Sequence, residues 1–139
     1  MREILFRGKR LDNGEWIEGY YVKTVDYRTD SAVHLIIELP SAFYPRGEIA
    51  GEYEINSSTV GQYTGLTDKN GKKIFEGDIV VVPLSGKSAK GIIKYFKTDI
   101  CGFTVITQPQ YSNYVLQKNC AYEVIGNIHD NPELLEVTE

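Results

Sequence analysis

Apolar and polar residues alternate in short runs along the chain, and Gly, Asn, Asp or Pro interrupts them every several residues. Period-two alternation marks half-buried strands, whereas an amphipathic helix repeats every 3.6 residues. Glu3–Arg7 reads as a first short strand. Leu11-Asp12-Asn13-Gly14-Glu15 follows, and Asn-Gly between apolar flanks is a strong hairpin cue because both residues tolerate positive φ. Trp16–Val22 is its return strand. Ala32–Leu39, ending at Pro40, is apolar and β-branched over a length that suits a buried strand.

Residues 40–58 break the alternation with scattered Pro, Gly and aromatic residues. They read as a long loop holding at most a short strand at Glu52–Ile55, and loops of that length often carry function. From Thr59 the pattern tightens. Val60–Leu66 leads into the turn Asp68-Lys69-Asn70-Gly71, then Lys73–Phe75, then the tight turn Glu76-Gly77-Asp78. Ile79-Val80-Val81-Val82 is four β-branched residues in a row before Pro83, a strand by stereochemistry. After a turn at Ser85–Ser88, Gly91–Phe96 is its expected partner, and Phe103–Ile106 and Tyr122–Ile128 complete the set. Only Asn131–Leu135 looks helical, with Asn131 as cap, Pro132 at the first position and Glu133 at the positive end of the dipole. The pattern predicts an all-β fold: a small sandwich or partly open barrel of short antiparallel strands, with a short C-terminal helical turn, as one domain over residues 1–139.

Composition adds three constraints. Ten tyrosines in 139 residues suit pleated surfaces, and this β-propensity explains them more simply than an aromatic binding face does. The net charge of −4 provides no global field favouring nucleic acid or anionic membrane. The charged opening segment is unlike a signal peptide, and no apolar run approaches the roughly 18 residues of a membrane span. The expectation is a cytoplasmic protein without a membrane partner, whose Cys101 and Cys120 are buried thiols.

Candidate chemistry is sparse. Gly86-Lys87-Ser88 ends like a phosphate-binding loop, but Val81 stands where the first glycine belongs and no helix follows. His34 and His129 lack ligand-spaced partners, so no metal or other cofactor is expected. Glu76 and Asp78 would point the same way on an extended chain and could act as an acid–base pair; a Glu-Gly-Asp turn bonding its own amides is the commoner arrangement. Lys87, Lys90, Lys94 and Lys97 occur without an intervening acid beside Tyr95 and Phe96. They form either a basic, aromatic groove for single-stranded nucleic acid or the lysines that protect an exposed edge strand, the second being favoured. The acidic stretch from Glu123 to Glu139 reads as a solvated face or an inter-subunit contact.

Three blocks carry a family resemblance. Thr59–Val80, the opening Phe6-Arg7-Gly8-Lys9-Arg10 with Gly14, Trp16 and Gly19, and the closing Val124–Leu135 together resemble the YopX family of phage and prophage proteins. The resemblance implies an all-β protein encoded by a bacteriophage or prophage, and it brings no assigned activity or catalytic residue. Gln62, Glu76, Asp78 and Asn127 are the shared polar positions, and a structural role is expected for each. The leading functional expectation is a non-catalytic accessory protein that works by binding, as a homo-oligomer or with a host or phage protein, on β and tyrosine surface suited to symmetric interfaces. A nucleic-acid-binding module and an enzyme at Glu76 and Asp78 are the alternatives.

Overall fold

The computed structural model describes residues 4–38, 51–84, 87–96, 102–108, 113–118 and 120–135. They contain the strands β1 (Phe6–Arg10), β2 (Trp16–Asp26), β3 (Ser31–Glu38), β4 (Glu52–Thr67), β5 (Lys73–Phe75), β6 (Asp78–Leu84), β7 (Lys87–Phe96), β8 (Gly102–Gln108), β9 (Asn113–Val115) and β10 (Glu123–Asn127). A 3-10 turn at Pro132–Leu135 is the one helical element among the described residues. The chain is all-β, in two antiparallel sheets, and divides into two compact units, Met1–Tyr63 and Thr64–Glu139.

In the first unit the Asn-Gly cue is met by a loop, Leu11–Glu15, with Gly14 at φ 72°. The Gly14 N–H donates to the Arg10 carbonyl at 2.9 Å, and the Arg10 N–H donates to the Glu15 carbonyl at the same distance. This sets Lys9 opposite Trp16 and Phe6 opposite Gly19. β2 and β3 then pair from Gly19↔Glu38 to Asp26↔Ser31, and β3 meets β4 at Leu35↔Glu54 through Ile37↔Glu52. A side chain at Gly19 would place its Cβ 2.0 Å from the Ile37 carbonyl oxygen, so only glycine fits there. β4 also pairs with β1, at Arg10↔Ile55 and again at Phe6↔Gln62, so the four strands close on one another. Leu5, Ile36 and Ile55 are fully or almost fully buried inside the circuit.

The short strand expected at Glu52–Ile55 is present, and the expected loop is corrected at 56–58, which continue it. Residues 52–58 belong to the 16-residue β4, while 40–50 lie outside the described residues. What looks like a break at Asn56-Ser57-Ser58 is a bulge, where the register with β1 shifts between Arg7 and Lys9. Thr59 Oγ1 accepts the Lys9 N–H at 2.9 Å and donates to the Asn56 carbonyl at 2.6 Å, while Asn56 Oδ1 accepts the Ser58 N–H at 3.1 Å. Polar side chains thus replace the missing ladder bonds without ending the strand.

In the second unit β5 folds back on the end of β4 through the predicted turn, with Gly71 at φ 82° and the Asp68 N–H donating to the Lys72 carbonyl at 2.7 Å. The other sheet has the order β10-β6-β7-β8-β9, confirming β7 as the partner of β6. Alternation along these strands brings Val80, Val82, Ile93, Phe103 and Val105 together with Ile74 and Tyr122 in one core. Full burial of each such aliphatic side chain contributes about 1.5–3 kcal/mol. Two expectations change here. β7 lies between β6 and β8, so its lysines do not guard an edge. The C-terminal turn is not capped by the Asn131 side chain: the Leu134 N–H donates to the Asn131 carbonyl at 3.1 Å, and Asn131 Oδ1 accepts the Asn127 N–H at 3.3 Å.

Candidate functional site

Three of the four polar positions shared with the resembled family, Glu76, Asp78 and Asn127, lie in or beside turns. Gly77, at φ 91°, lets Glu76-Gly77 reverse the chain between β5 and β6. Its N–H donates to the Ile93 carbonyl at 2.8 Å and its carbonyl accepts the Ile128 N–H at 2.9 Å. Asp78 is 1% exposed, and its Oδ2 accepts the Phe75 N–H at 2.7 Å. Glu76 is half-buried in the turn itself, so the alternation of an extended strand does not govern this pair. Asn127 Oδ1 accepts the N–H groups of His129 and Asp130 at 3.0 and 2.9 Å, and its Nδ2 donates to Asp130 Oδ2 at 3.1 Å. Gln62 sits half-buried on β4 opposite Phe6.

Asp68 does more than its place in a hairpin turn foretells. Its Oδ1 accepts the N–H groups of Asn70 and Lys72, both at 2.9 Å, and its Oδ2 accepts the Val124 N–H of β10 at 3.0 Å. One buried carboxylate therefore ties the β4–β5 turn to a strand 56 residues away. Burial, the largest influence, pushes its pKa up, but the amides of Val124, Lys72 and Asn70 with the Lys72 charge prevail and hold it below the usual carboxylate range. Near it, the buried Tyr122 phenol accepts the Gln117 N–H at 2.9 Å, and burial pushes its pKa up.

Among the described side chains of the basic stretch, the lysines and Tyr95 take opposite faces of β7. Lys90 and Lys94 fall on one face of β7, and the Lys90 Nζ donates to the Leu134 carbonyl at 3.1 Å. Tyr95, one residue out of phase, turns to the other face and packs edge-on to the core ring of Phe103, with centroids 5.1 Å apart. The side chains of Lys87 and Phe96, and the whole of Lys97 and Cys101, lie outside the described residues. Cys120 is a free thiol of intermediate exposure, packed against the core.

Cations and rings do meet on β1, at residues first read only as fold positions. Arg7 and Lys9 alternate onto one face of β1, 4.6 and 5.5 Å from the centre of the Trp16 ring, and Arg10 stacks 4.1 Å over Tyr53. The signal in the sequence is Arg-x-Lys on a strand whose hairpin partner begins with Trp. Beyond β1, the β2–β3 hairpin extends past its neighbours. Within it the Tyr21 hydroxyl meets His34 Nδ1 at 2.5 Å, and Tyr20, Val25 and Tyr27 are exposed, Tyr27 almost completely at 99%. No group of three or more metal-ligating side chains occurs among the described residues. No helix among them is long and apolar enough to cross a membrane.

The family model described as YopX protein matches residues 5–136, through both units. The chain belongs to the YopX family. Its fold is similar to the crystal structure of protein EF1440 from Enterococcus faecalis, with 29% sequence identity and a TM-score of 0.61. That match covers 98% of this YopX chain and 100% of the other. No curated protein matches it in sequence.

Proposed function

We propose that this YopX protein is a non-catalytic accessory protein of a phage or prophage that acts by binding in the host bacterial cytoplasm and works as a homo-oligomer. The observation that carries this reading is the β2–β3 hairpin, which holds Tyr20, Val25 and Tyr27 in solvent at 52, 46 and 99% exposure. Isolated exposed apolar residues are ordinary, but three on one hairpin, two of them tyrosine, match the composition of interface cores. The use of Asp68, Asp78 and Asn127 as acceptors for backbone amides supports it from the other side, because those polar groups are occupied in holding turns. Sedimentation velocity on the full chain tests the reading. Self-association is expected, weakened in Tyr20→Ser/Tyr27→Ser; a strict single-chain species for the wild type overturns it.

A second reading, binding of single-stranded nucleic acid, draws its support from β1 instead of β7. Arg7, Lys9 and Trp16 combine charge and a stacking ring on one face. Filter binding at low salt, with affinity falling steeply as salt rises, is the expected outcome, and no binding at low salt ends it.

A further inference from the structure

The β2–β3 hairpin has an unused edge whose geometry selects its own partner. β1 pairs with β2 only at Trp16–Gly19, and β4 pairs with β3 only at Leu35–Ile37. From Lys23 to His34 the hairpin is therefore a two-stranded ribbon among the described residues, and the β2 edge is free of β1 from Tyr20 onward. Such ribbons are marginal in water, and their edges present unpaired N–H and C=O groups to any incoming strand. The two edges differ. The free stretch of β2 is centred on Lys23, which would face its own copy across a two-fold axis. The free stretch of β3, Ser31–His34, carries no acid or lysine.

We propose that Ser31–His34 of β3 pairs antiparallel with the same stretch of a second copy of this chain, across a two-fold axis at Ala32. This rests on the homo-oligomer reading above and adds the surface and the register. A two-fold axis perpendicular to a sheet must pass beside a residue that faces itself, since opposed side chains share a face. Centring on Val33 would require Leu35, whose outer side β4 already occupies. Centring on Ala32 sets Ser31 opposite the partner's Val33 and brings Asp30, the turn residue at φ 58° just before the strand, to the partner's His34.

Charge agrees with that register. His34 shares its rung with Lys23 on β2, so Asp30 arrives beside a ring and an ammonium, twice per dimer. Asp30 and Lys23 are both exposed, and neither has an ion-pair partner among the described residues. The Tyr21 hydroxyl and His34 Nδ1 share a hydrogen bond, which leaves Nε2 to meet the incoming carboxylate, as a donor in the tautomer in which the phenol donates. Ala32 suits the axis: it is small, and it is exposed in the single chain.

Light scattering coupled to gel filtration, run over a concentration series, tests this on the full chain of 15.7 kDa. The wild type is expected at twice that mass, dissociating on dilution. Ala32→Asp puts two like charges against each other at the axis and should run as one chain with an unchanged circular dichroism spectrum. Asp30→Lys should weaken the dimer at least tenfold, and Asp30→Lys/Lys23→Asp should restore it, which a folding defect would not do. A single-chain mass for the wild type at every concentration overturns both the seam and the oligomer reading. An oligomer unmoved by Ala32→Asp, or a charge swap that fails to restore it, overturns the seam alone.

Discussion

Removing the Asp68 carboxylate should cost the second unit about 3 kcal/mol, most of it from a single amide. A hydrogen bond to a charged group contributes about 1.5–3 kcal/mol net, but three bonds sharing one buried carboxylate do not add. Asn70 and Lys72 are exposed, so their N–H groups can turn to water when the carboxylate goes, at about 0.5–1 kcal/mol each. The Val124 N–H lies in half-buried β10, where an orphaned donor costs about 1–3 kcal/mol. Asp68→Ala should therefore lose about 3 kcal/mol, a large part of a total near 5–15 kcal/mol. Asp68→Asn is the sharper test. Its amide can accept on one side only, so its NH2 must face an N–H on the other. Whichever way it turns, the Asn variant should lose about 2 kcal/mol.

The pH dependence follows from the same contacts. The folded pKa of Asp68 is depressed, so its stabilisation is complete above the unfolded carboxylate value of about 3.9 and is lost as pH falls through the folded value. Asp68→Asn lacks that component, and its stability should fall less steeply with acid than the wild type's. Urea unfolding followed by circular dichroism at descending pH, with amide exchange at Val124, measures both effects. An Asn variant within about 0.5 kcal/mol of wild type, or unchanged protection at Val124, would refute the assignment of the tie.

Gly77→Ala meets no atom closer than 3.8 Å, so its cost is that of forcing an L-residue to φ 91°, about 1–2 kcal/mol by urea midpoint. Ile93→Val removes one methylene from a fully buried site and should lose about 0.5–1.5 kcal/mol in the same assay. Tyr27→Ser, at a 99% exposed hairpin tip, should leave single-chain stability within about 0.5 kcal/mol, measured by thermal unfolding at low protein concentration.

Local chemistry made the turns legible. Asn13-Gly14, Asp68–Gly71 and Glu76-Gly77-Asp78 all reverse the chain where the sequence puts them, because positive φ at Gly14, Gly71 and Gly77 is a property of the residue itself. The run Ile79–Val82 and its partner Gly91–Phe96 were equally plain from β-branching. Long-range matters were not. The bulge at Asn56–Ser58 reads as a loop, because polar residues that replace ladder bonds look like residues that end a strand. That β7 is central, and that Lys90 reaches the Leu134 carbonyl, depends on which strands flank it, and no local pattern encodes sheet order. The stacking of Arg7 and Lys9 on Trp16 depends likewise on hairpin register, set by loop length.

The residues that identify the family and the residues able to act on a partner fall into different classes. Asp68, Asp78 and Asn127 accept backbone amides, while Gly19 and Gly77 occupy places where a side chain or an ordinary φ would fail. Chains sharing this fold need acceptors and glycines at such places whatever they bind, so a match built on them transmits architecture before activity. Substitutions at these positions should therefore lower binding and stability together. Substitutions at Ala32, Asp30 or Tyr27, which lie on an exposed arm, should separate the two. That separation, binding lost while the fold stands, is the measurable difference between a residue that builds this fold and one that uses it.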